Sequence, residues 1–149
     1  MNKKNILLTS IGTRGDIEPF LAVGVCLNNK GYNISYSFPE QFSNLVPKSA
    51  NHYPLSPKII ELIESQAGKT VMGRSSIWAK VKALFYLYKE GQKVNKILVK
   101  EQFNAIQLEK PDLIIHNSKC SYPILWGLNH RKPTILLSPA PYFIHYVKG

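Results

Sequence analysis

The sequence predicts an α/β fold in which helices cover both faces of a parallel β-sheet. Short apolar runs typical of buried strands alternate with segments in which apolar residues recur at helical spacing. Glycine or proline stands at several boundaries between them, as at Gly31 and Pro39. Two parallel strands need a crossover connection, which is usually a helix. The alternation therefore predicts a Rossmann-like parallel sheet with helices on both faces.

The first half of the chain predicts three strands. Residues 5–11 are mostly apolar and lead into a glycine, which predicts a strand buried on both faces. Apolar residues at helical spacing predict a helix over 17–30, ended by Gly31. Residues 32–38 are rich in β-forming residues and stop at Pro39. The other elements predicted here are a short helix over 40–46, a short strand over 52–55, a helix over 58–66 and a loop over 67–75.

The second half predicts one long helix and two more strands. The helix spans 76–109 with a bend at Gly91, and a strand over 112–116, a helix over 122–130 and a strand over 134–137 follow. Eight apolar residues fall near one stripe of the long helix and predict a core-facing side: Ile77, Val81, Leu84, Phe85, Tyr88, Leu98, Phe103 and Ile106. Ligands of such sheets bind at the carboxyl ends of the strands, which predicts a functional crevice among residues 12–16, 117–121 and 138–142.

Composition narrows the class of protein. The 149 residues suit one domain, and 44% hydrophobic with 19% charged residues indicates a globular chain rather than a disordered one. Cys26 and Cys120 lie far apart and show no metal-ligand spacing, which excludes a disulfide scaffold and predicts no metal site. No apolar run approaches the roughly 20 residues of a membrane span, and the first apolar run stops at Thr9, as in a buried strand rather than a signal peptide. We therefore expect a cytoplasmic protein.

Most of the net charge of +10 lies in one segment. Residues 69–100 contain eight lysine and arginine residues against one glutamate. A solvated lysine face is the simpler interpretation. The alternative is peripheral contact with anionic lipid, made by Trp78, Lys89, Lys93, Lys96 and Lys100. No nucleic-acid-binding motif accompanies the charge, so nucleic acid is not an expected partner.

The turn Gly12-Thr13-Arg14-Gly15-Asp16, called the 12–16 turn below, follows the first strand. Its glycines permit close approach of a ligand, and the helix start after it offers free N–H groups suited to phosphate. Arg14 adds a possible bidentate phosphate contact. The spacing is neither the dinucleotide motif G-x-G-x-x-G nor a P-loop, so a nicotinamide enzyme is not predicted.

Asp16 has two interpretations. An aspartate just before a helix is a good N-cap and needs no further purpose, and Pro19 then falls in the first turn, where its missing N–H is not needed. The functional interpretation is a general base at the mouth of the crevice, which would deprotonate a hydroxyl group. The residues alone favour the cap.

Residues 11–24 closely resemble a known family signature. They read IGTRGDIEPFLAVG and resemble the motif G-[ST]-R-G-D-[VI]-[QE]-P at the start of the acceptor domain of GT-B glycosyltransferases. The resemblance is to the sterol and macrolide/glycopeptide UDP-sugar transferases, whose domain is related to that of the family 28 (MurG-like) transferases. A looser match follows in Pro111-Asp112-Leu-Ile-Ile-His-Asn-Ser, Trp126-Gly-Leu-Asn, Pro133 and residues 139–142.

The resemblance implies inverting transfer of a sugar from a nucleotide-diphosphate sugar to an acceptor hydroxyl of a lipid, sterol or natural product. The donor that it implies is a UDP-sugar. Asp16 carries over as the general base. No metal and no cofactor besides this co-substrate is implied. The implied contacts with the donor's diphosphate or sugar are Gly12, Thr13, Arg14 and Gly15, and the implied acceptor pocket is Ser118, Pro139, Pro141 and Tyr142.

The resemblance also implies that residues 1–149 are an N-terminal acceptor-binding domain. GT-B enzymes bind the nucleotide mainly through a C-terminal domain, which nothing in this sequence resembles. We expect the chain alone to be inactive and to need a donor-binding domain or partner subunit. The alternative from another class is a non-catalytic α/β binding module, or one subunit of a split transferase, that uses the 12–16 turn as an anion site.

Overall fold

The computed structural model describes residues 3–138, which form one parallel sheet of five strands in the order β3-β2-β1-β4-β5. The strands are β1 (Asn5–Thr9), β2 (Asn33–Ser37), β3 (Asn51–His52), β4 (Leu113–His116) and β5 (Thr134–Leu136). Every pairing between neighbours is parallel, with Leu7 opposite Ser35 of β2 and Ile114 of β4. The predicted fold class is confirmed, and four of the five strands lie within their predicted ranges. Strand β3 shares only His52 with its predicted range of 52–55.

Five α-helices connect the strands: α1 (Arg14–Asn29), α2 (Lys58–Glu64), α3 (Gln66–Met72), α4 (Ile77–Glu109) and α5 (Tyr122–His130). A 3₁₀ helix spans Glu40–Leu45. Helix α4 runs without a break through Gly91, and the bend expected there stays a prediction. Gly31, at φ +90°, donates its N–H to the Asn28 carbonyl and ends α1 as predicted.

The predicted loop over 67–75 is wrong, because most of it is helix α3. Ser65 caps this helix, and its Oγ accepts the N–H of Gly68 at 3.3 Å. Gly68 is a site of close packing rather than a helix breaker, since a side chain there would overlap the Ile63 carbonyl. Sequence reasoning took this glycine for a turn residue.

Helix α1 begins three residues earlier than predicted. Thr13 is its N-cap, so Arg14 is the first helical residue and Asp16 the third. Pro19 consequently lies inside the helix rather than in its first turn, and it removes one i→i−4 hydrogen bond there. The interpretation of Asp16 as the N-cap residue is therefore wrong, although its side chain does take part in capping, as described below.

The central strand β1 is buried on both faces of the sheet. On one face, Ile6 and Leu8 of β1 pack with Ile17 and Phe20 of α1. On the other face, Leu7 packs in a second cluster with Ile106 of α4, Ile114 and Trp126. Successive side chains of β1 thus enter different halves of the core, as the alternation of a strand requires. This arrangement confirms the prediction of helices on both faces.

Helix α4 is much longer than the strands it covers. Its 33 residues span about 50 Å, whereas a five-residue strand spans about 17 Å. Val94 and Leu98 pack with Ile11, Leu55 and Cys120 just beyond the carboxyl ends of the strands. The part of α4 before Val94 therefore extends past the sheet, where it packs against α2 and α3.

The predicted core-facing stripe of α4 is correct only near its end. Leu98 and Ile106 are buried, but the other six residues of the stripe are exposed, from Phe103 at 42% to Ile77 at 80%. For the five exposed residues that precede Val94, the reason is the length of the helix, because the described part of the chain places no sheet beside its first half. Phe103 lies in the second half, where its ring packs against Tyr122 with the ring centres 5.8 Å apart. Helical periodicity shows that one side of a helix is apolar but does not show what covers it.

Gly24 lies where α1 packs most closely on the sheet. A methyl group there would overlap the Tyr36 hydroxyl and lie 2.8 Å from Leu8 Cδ1, and both side chains are buried. We expect Gly24→Ala to lower the free energy of unfolding by about 1–3 kcal/mol, measured by urea unfolding. Gly91→Ala is the matched control, because a methyl group at this helical glycine approaches Leu62 Cδ2 at 3.9 Å. The control should be neutral or stabilising by up to about 1 kcal/mol, and equal losses in both variants would contradict the packing.

The two cysteines differ in accessibility. Cys26 is exposed, whereas Cys120 is fully buried beside Thr9, and burial raises the pKa of its thiol to about 12. The thiolate is the reactive form, so we expect one thiol of the folded chain to react with Ellman's reagent at pH 8 and two after unfolding in guanidinium. A Cys26→Ser variant should show no fast-reacting thiol. Two fast thiols in the folded wild-type chain would contradict the structure.

Candidate functional site

The carboxyl ends of β1 and β4 form the topological switch point of the sheet. These strands are neighbours, but β1 leads through α1 to β2 on one side, while β4 leads through α5 to β5 on the other. The two connections diverge and leave a crevice between them, which is where ligands of such sheets bind. The 12–16 turn follows β1 and residues 117–121 follow β4, so both predicted segments lie at this point.

The Asp16 carboxylate is the centre of the site. Its Oδ2 accepts the backbone N–H of Thr13 at 2.8 Å and the Thr13 hydroxyl at 3.2 Å. Lys119 Nζ lies 3.0 Å from both carboxylate oxygens. The Asp16 side chain is 17% exposed and that of Lys119 is 44% exposed. The site is therefore a partly buried ion pair that remains open to solvent.

Helix capping explains only part of this arrangement. In a capping box, an acidic side chain at the third helical position accepts the N–H of the N-cap residue. The positive end of the helix dipole stabilises its negative charge. Lys119, however, comes from the loop after β4, 103 residues away along the chain. A cap needs no such partner, so the ion pair is a feature of the crevice.

Asn117 builds the loop that carries Lys119. Its Nδ2 donates to the Ile11 carbonyl at 2.7 Å, and its Oδ1 accepts the N–H of Lys119 at 3.2 Å. Asn117 is buried, so these bonds are made away from water and bind the loop after β4 to the loop after β1. The sequence analysis assigned no role to Asn117 or Lys119. The sequence placed residues 117–121 at the crevice, and the pairing of β1 with β4 shows which of them reach Asp16.

Gly12 gives the carboxylate its space. Its φ of +142° is one that residues with side chains rarely adopt. A Cβ at this position would overlap Asp16 Oδ2 and lie 2.7 Å from Lys119 Nζ. Glycine is therefore required here both by the backbone conformation and by the ion pair.

The other predicted donor contacts lie around this centre. Thr13 uses its N–H and hydroxyl on Asp16, and Arg14 Nε bonds Glu18 Oε1 at 2.6 Å on the exposed surface of α1. Gly15 has open space, since a Cβ there would meet Thr13 Oγ1 at 3.9 Å. The structure therefore brings Gly12, Thr13 and Asp16 together, while Arg14 is engaged with Glu18.

The predicted acceptor residues are described only in part. Ser118 is exposed in the same loop as Lys119. Pro139, Pro141 and Tyr142 lie outside the described residues. The neighbouring His116 is buried and its Nδ1 donates to the Asn117 carbonyl at 2.9 Å, so it supports the loop. Within residues 3–138, no group of three His, Cys, Asp or Glu side chains is placed to hold a metal ion.

Comparison with known proteins identifies the family of the chain. The family model of the glycosyltransferase family 28 N-terminal domain matches residues 6–125. The chain is 34% identical to UDP-sugar-dependent glycosyltransferase 52 of Dictyostelium discoideum over 61 residues. This aligned stretch covers 40% of this chain and 4% of that protein. It is also 35% identical to O-mycaminosyltylonolide 6-deoxyallosyltransferase of Streptomyces fradiae over 52 residues. That stretch covers 35% of this chain and 12% of that protein.

Solved structures show the same fold. The calicheamicin glycosyltransferase CalG4 superposes with a TM-score of 0.64 at 19% identity, over 93% of this chain and 33% of that one. The glycosyltransferase VinC, solved in complex with dTDP, superposes with a TM-score of 0.61 at 12% identity, over 91% of this chain and 35% of that one. The chain therefore spans about a third of these structures and has the fold of a GT-B N-terminal domain. Because the family model covers most of its length, the chain belongs to the glycosyltransferase family 28 N-terminal domain family.

Proposed function

We propose that this chain is the acceptor-binding half of an inverting glycosyltransferase and that Asp16 is its general base. The observation that carries the proposal is the position of the Asp16 carboxylate, which is partly exposed at the switch point of a sheet that belongs to a glycosyltransferase family. A base must reach the proton it removes, and this carboxylate lies in the crevice where a substrate can approach.

The two carboxylate oxygens are suited to different tasks. Lys119 Nζ bonds both oxygens, but Oδ2 also accepts the N–H and the hydroxyl of Thr13. Oδ1 therefore has fewer partners and is the oxygen more open to a proton. In the proposed step, Oδ1 accepts the proton of the acceptor hydroxyl as the oxygen attacks the anomeric carbon of the sugar. The bond from that carbon to the nucleoside diphosphate breaks on the opposite face, so the configuration inverts and the diphosphate leaves with the bonding electrons. Lys119 balances the charge of the carboxylate and orients it through this step.

The rest of the reaction needs groups beyond residues 3–138. We propose a nucleoside-diphosphate sugar as donor, with Gly12, Thr13, Arg14 and Gly15 near its diphosphate or sugar. UDP and dTDP sugars are both reasonable, since the relatives include a UDP-sugar-dependent enzyme and a dTDP complex. We also propose a donor-binding domain, in the same polypeptide or in a partner subunit, and an apolar or lipid-like alcohol as acceptor, bound near Ser118, Pro139, Pro141 and Tyr142.

The contacts of Asp16 disfavour the alternative of a non-catalytic anion site. A phosphate bound at the start of α1 would compete with the Asp16 carboxylate for the N–H of Thr13 and would be repelled by its charge. Lys119 and Arg14 are the cations near this helix start that could attract a phosphate, but Lys119 is paired with Asp16 and Arg14 with Glu18. The two proposals predict opposite effects of neutralising Asp16, because an anion site would then bind phosphate more tightly.

Asp16→Asn separates these proposals. In the enzyme assembled with its donor-binding domain, we expect kcat to fall by about 10²–10⁴-fold, because the amide keeps the shape of the side chain but cannot accept the proton. Release of nucleoside diphosphate from UDP and dTDP sugars, with a panel of apolar alcohols as acceptors, measures this rate. Asp112→Asn is the matched control, because Asp112 also accepts a backbone N–H, from Asn5 at 2.9 Å, but it precedes β4 at the amino ends of the strands, away from the crevice. Nearly normal turnover of Asp16→Asn, with tighter phosphate binding, would support the anion site instead.

Gly12→Ala tests whether the geometry of the ion pair matters for turnover. A methyl group there would displace the carboxylate and Lys119, so we expect kcat to fall at least about tenfold, in keeping with the sensitivity of catalysis to small displacements. Gly31→Ala is the matched control, because Gly31 also has a positive φ but has no atom within 4 Å of an added Cβ. Both variants should lose about 1–2 kcal/mol of stability from backbone strain, measured by urea unfolding. Equal turnover in the two variants would contradict a role for the Gly12 geometry.

A further inference from the structure

The first half of helix α4 exposes a continuous apolar surface. We call this surface the α4 outer face, and it consists of Ile77, Trp78, Val81, Leu84, Phe85 and Tyr88. At 100° per residue these six side chains fall within about a third of the circumference of the helix. Each is at least half exposed, and Trp78 is 78% exposed. Isolated apolar residues are common on protein surfaces, but a contiguous group of six large ones indicates an interaction site.

A stripe of lysines runs beside the α4 outer face. The lysine stripe consists of Lys82, Lys89, Lys93, Lys96 and Lys100, which are all exposed. Lys89 Nζ lies 5.3 Å from the centre of the Phe85 ring, so the two surfaces are in contact. Lys93 pairs with Glu90 at 2.7 Å in an exposed ion pair, which contributes little in water and leaves the stripe strongly basic.

The α4 outer face lies at the same end of the sheet as Asp16. Val94 and Leu98 mark the level of the carboxyl ends of the strands, because they pack with Ile11 and Cys120. The α4 residues before Val94 lie beyond that level. Packing with α2 and α3 covers the opposite side of this half-helix, where Ala83 is buried. No element of residues 3–138 covers the exposed side.

We infer that the α4 outer face and the lysine stripe bind the surface of an anionic membrane. The apolar side chains would enter the boundary between headgroups and acyl chains, with Trp78 and Tyr88 at the level that aromatic side chains favour. The lysines would contact anionic headgroups, and the attraction of each to the negatively charged surface would add to the binding free energy. Among residues 3–138, no helix has the length and hydropathy needed to cross a bilayer.

The apolar residues argue against nucleic acid as the occupant. A nucleic acid would satisfy the lysines, but it offers no apolar phase to Ile77, Val81 and Leu84, which are 80%, 51% and 53% exposed. A membrane satisfies both surfaces at once. The inference does not depend on Asp16 or on sugar transfer, so its failure and that of the proposed function are distinguishable.

Vesicle binding tests the inference with this chain alone. We expect sedimentation with vesicles of 30% phosphatidylserine in phosphatidylcholine at 0.1 M NaCl, and at least about tenfold weaker partitioning onto phosphatidylcholine alone. The variant Lys89/Lys93/Lys96/Lys100→Glu should bind the anionic vesicles at least about tenfold more weakly than wild type. The matched control is Lys3/Lys4/Lys30/Lys48→Glu, which changes the net charge equally at four exposed lysines away from α4. Equal binding by the two variants, or no binding by wild type, would overturn the inference.

Tryptophan fluorescence tests the orientation on the membrane. The chain has two tryptophans, and Trp126 is 5% exposed, so a change in emission on adding vesicles reports Trp78. We expect a blue shift with the anionic vesicles. Trp78→Phe should still sediment with them but lose the shift, and Asp16→Asn should behave as wild type. Binding without a blue shift in the wild-type chain would contradict insertion of the α4 outer face.

Discussion

Strand β1 is hydrogen-bonded to β2 on one side and to β4 on the other, and its side chains are buried on both faces. The body of such a central parallel strand is buried, so ligands can reach the chain at the loop after its carboxyl end. The strands beside β1 decide which other loops lie next to that loop. The crevice, the loop of Asn117 and the packing of α1 and α4 on opposite faces all depend on this position. The 12–16 turn and Lys119 meet because β1 pairs with β4, so that the loops after these two strands leave the sheet side by side.

The Asp16 carboxylate combines a local structural task with a place in the site. As the third residue of α1 it accepts the N–H of the N-cap residue, which any acidic residue there can do. Because β4 adjoins β1, the same carboxylate also meets Lys119 across the crevice. The two tasks use overlapping oxygens, so the start of the helix positions the group proposed to be the base. Gly12 makes this possible, since a side chain there would occupy the space of the carboxylate.

Helix α4 uses one amphipathic pattern in two environments. Its second half packs Leu98, Ala105 and Ile106 in the core, and its first half presents the α4 outer face to solvent. The length of the helix, about 50 Å against a sheet of five-residue strands, produces this division. The charge of the chain follows the same division, because most of the lysine stripe lies on the half that extends past the sheet. The net charge alone does not indicate a binding partner, but lysines placed beside an exposed apolar face define a surface that can bind one.

The sequence by itself determined the fold class, the five strands, most of the helices and the importance of the 12–16 turn. These features depend on neighbouring residues: apolar periodicity, the glycine that ends α1 and the resemblance of residues 11–24 to a family signature. It missed helix α3, because Gly68 reads locally as a breaker although it serves close packing, and it misjudged the exposed half of α4. Only the tertiary structure decided that Lys119 and Asn117 join Asp16, since 103 residues separate the members of that ion pair. The physical reason is that strand order is set by the burial of whole faces of the sheet, which no local pattern records.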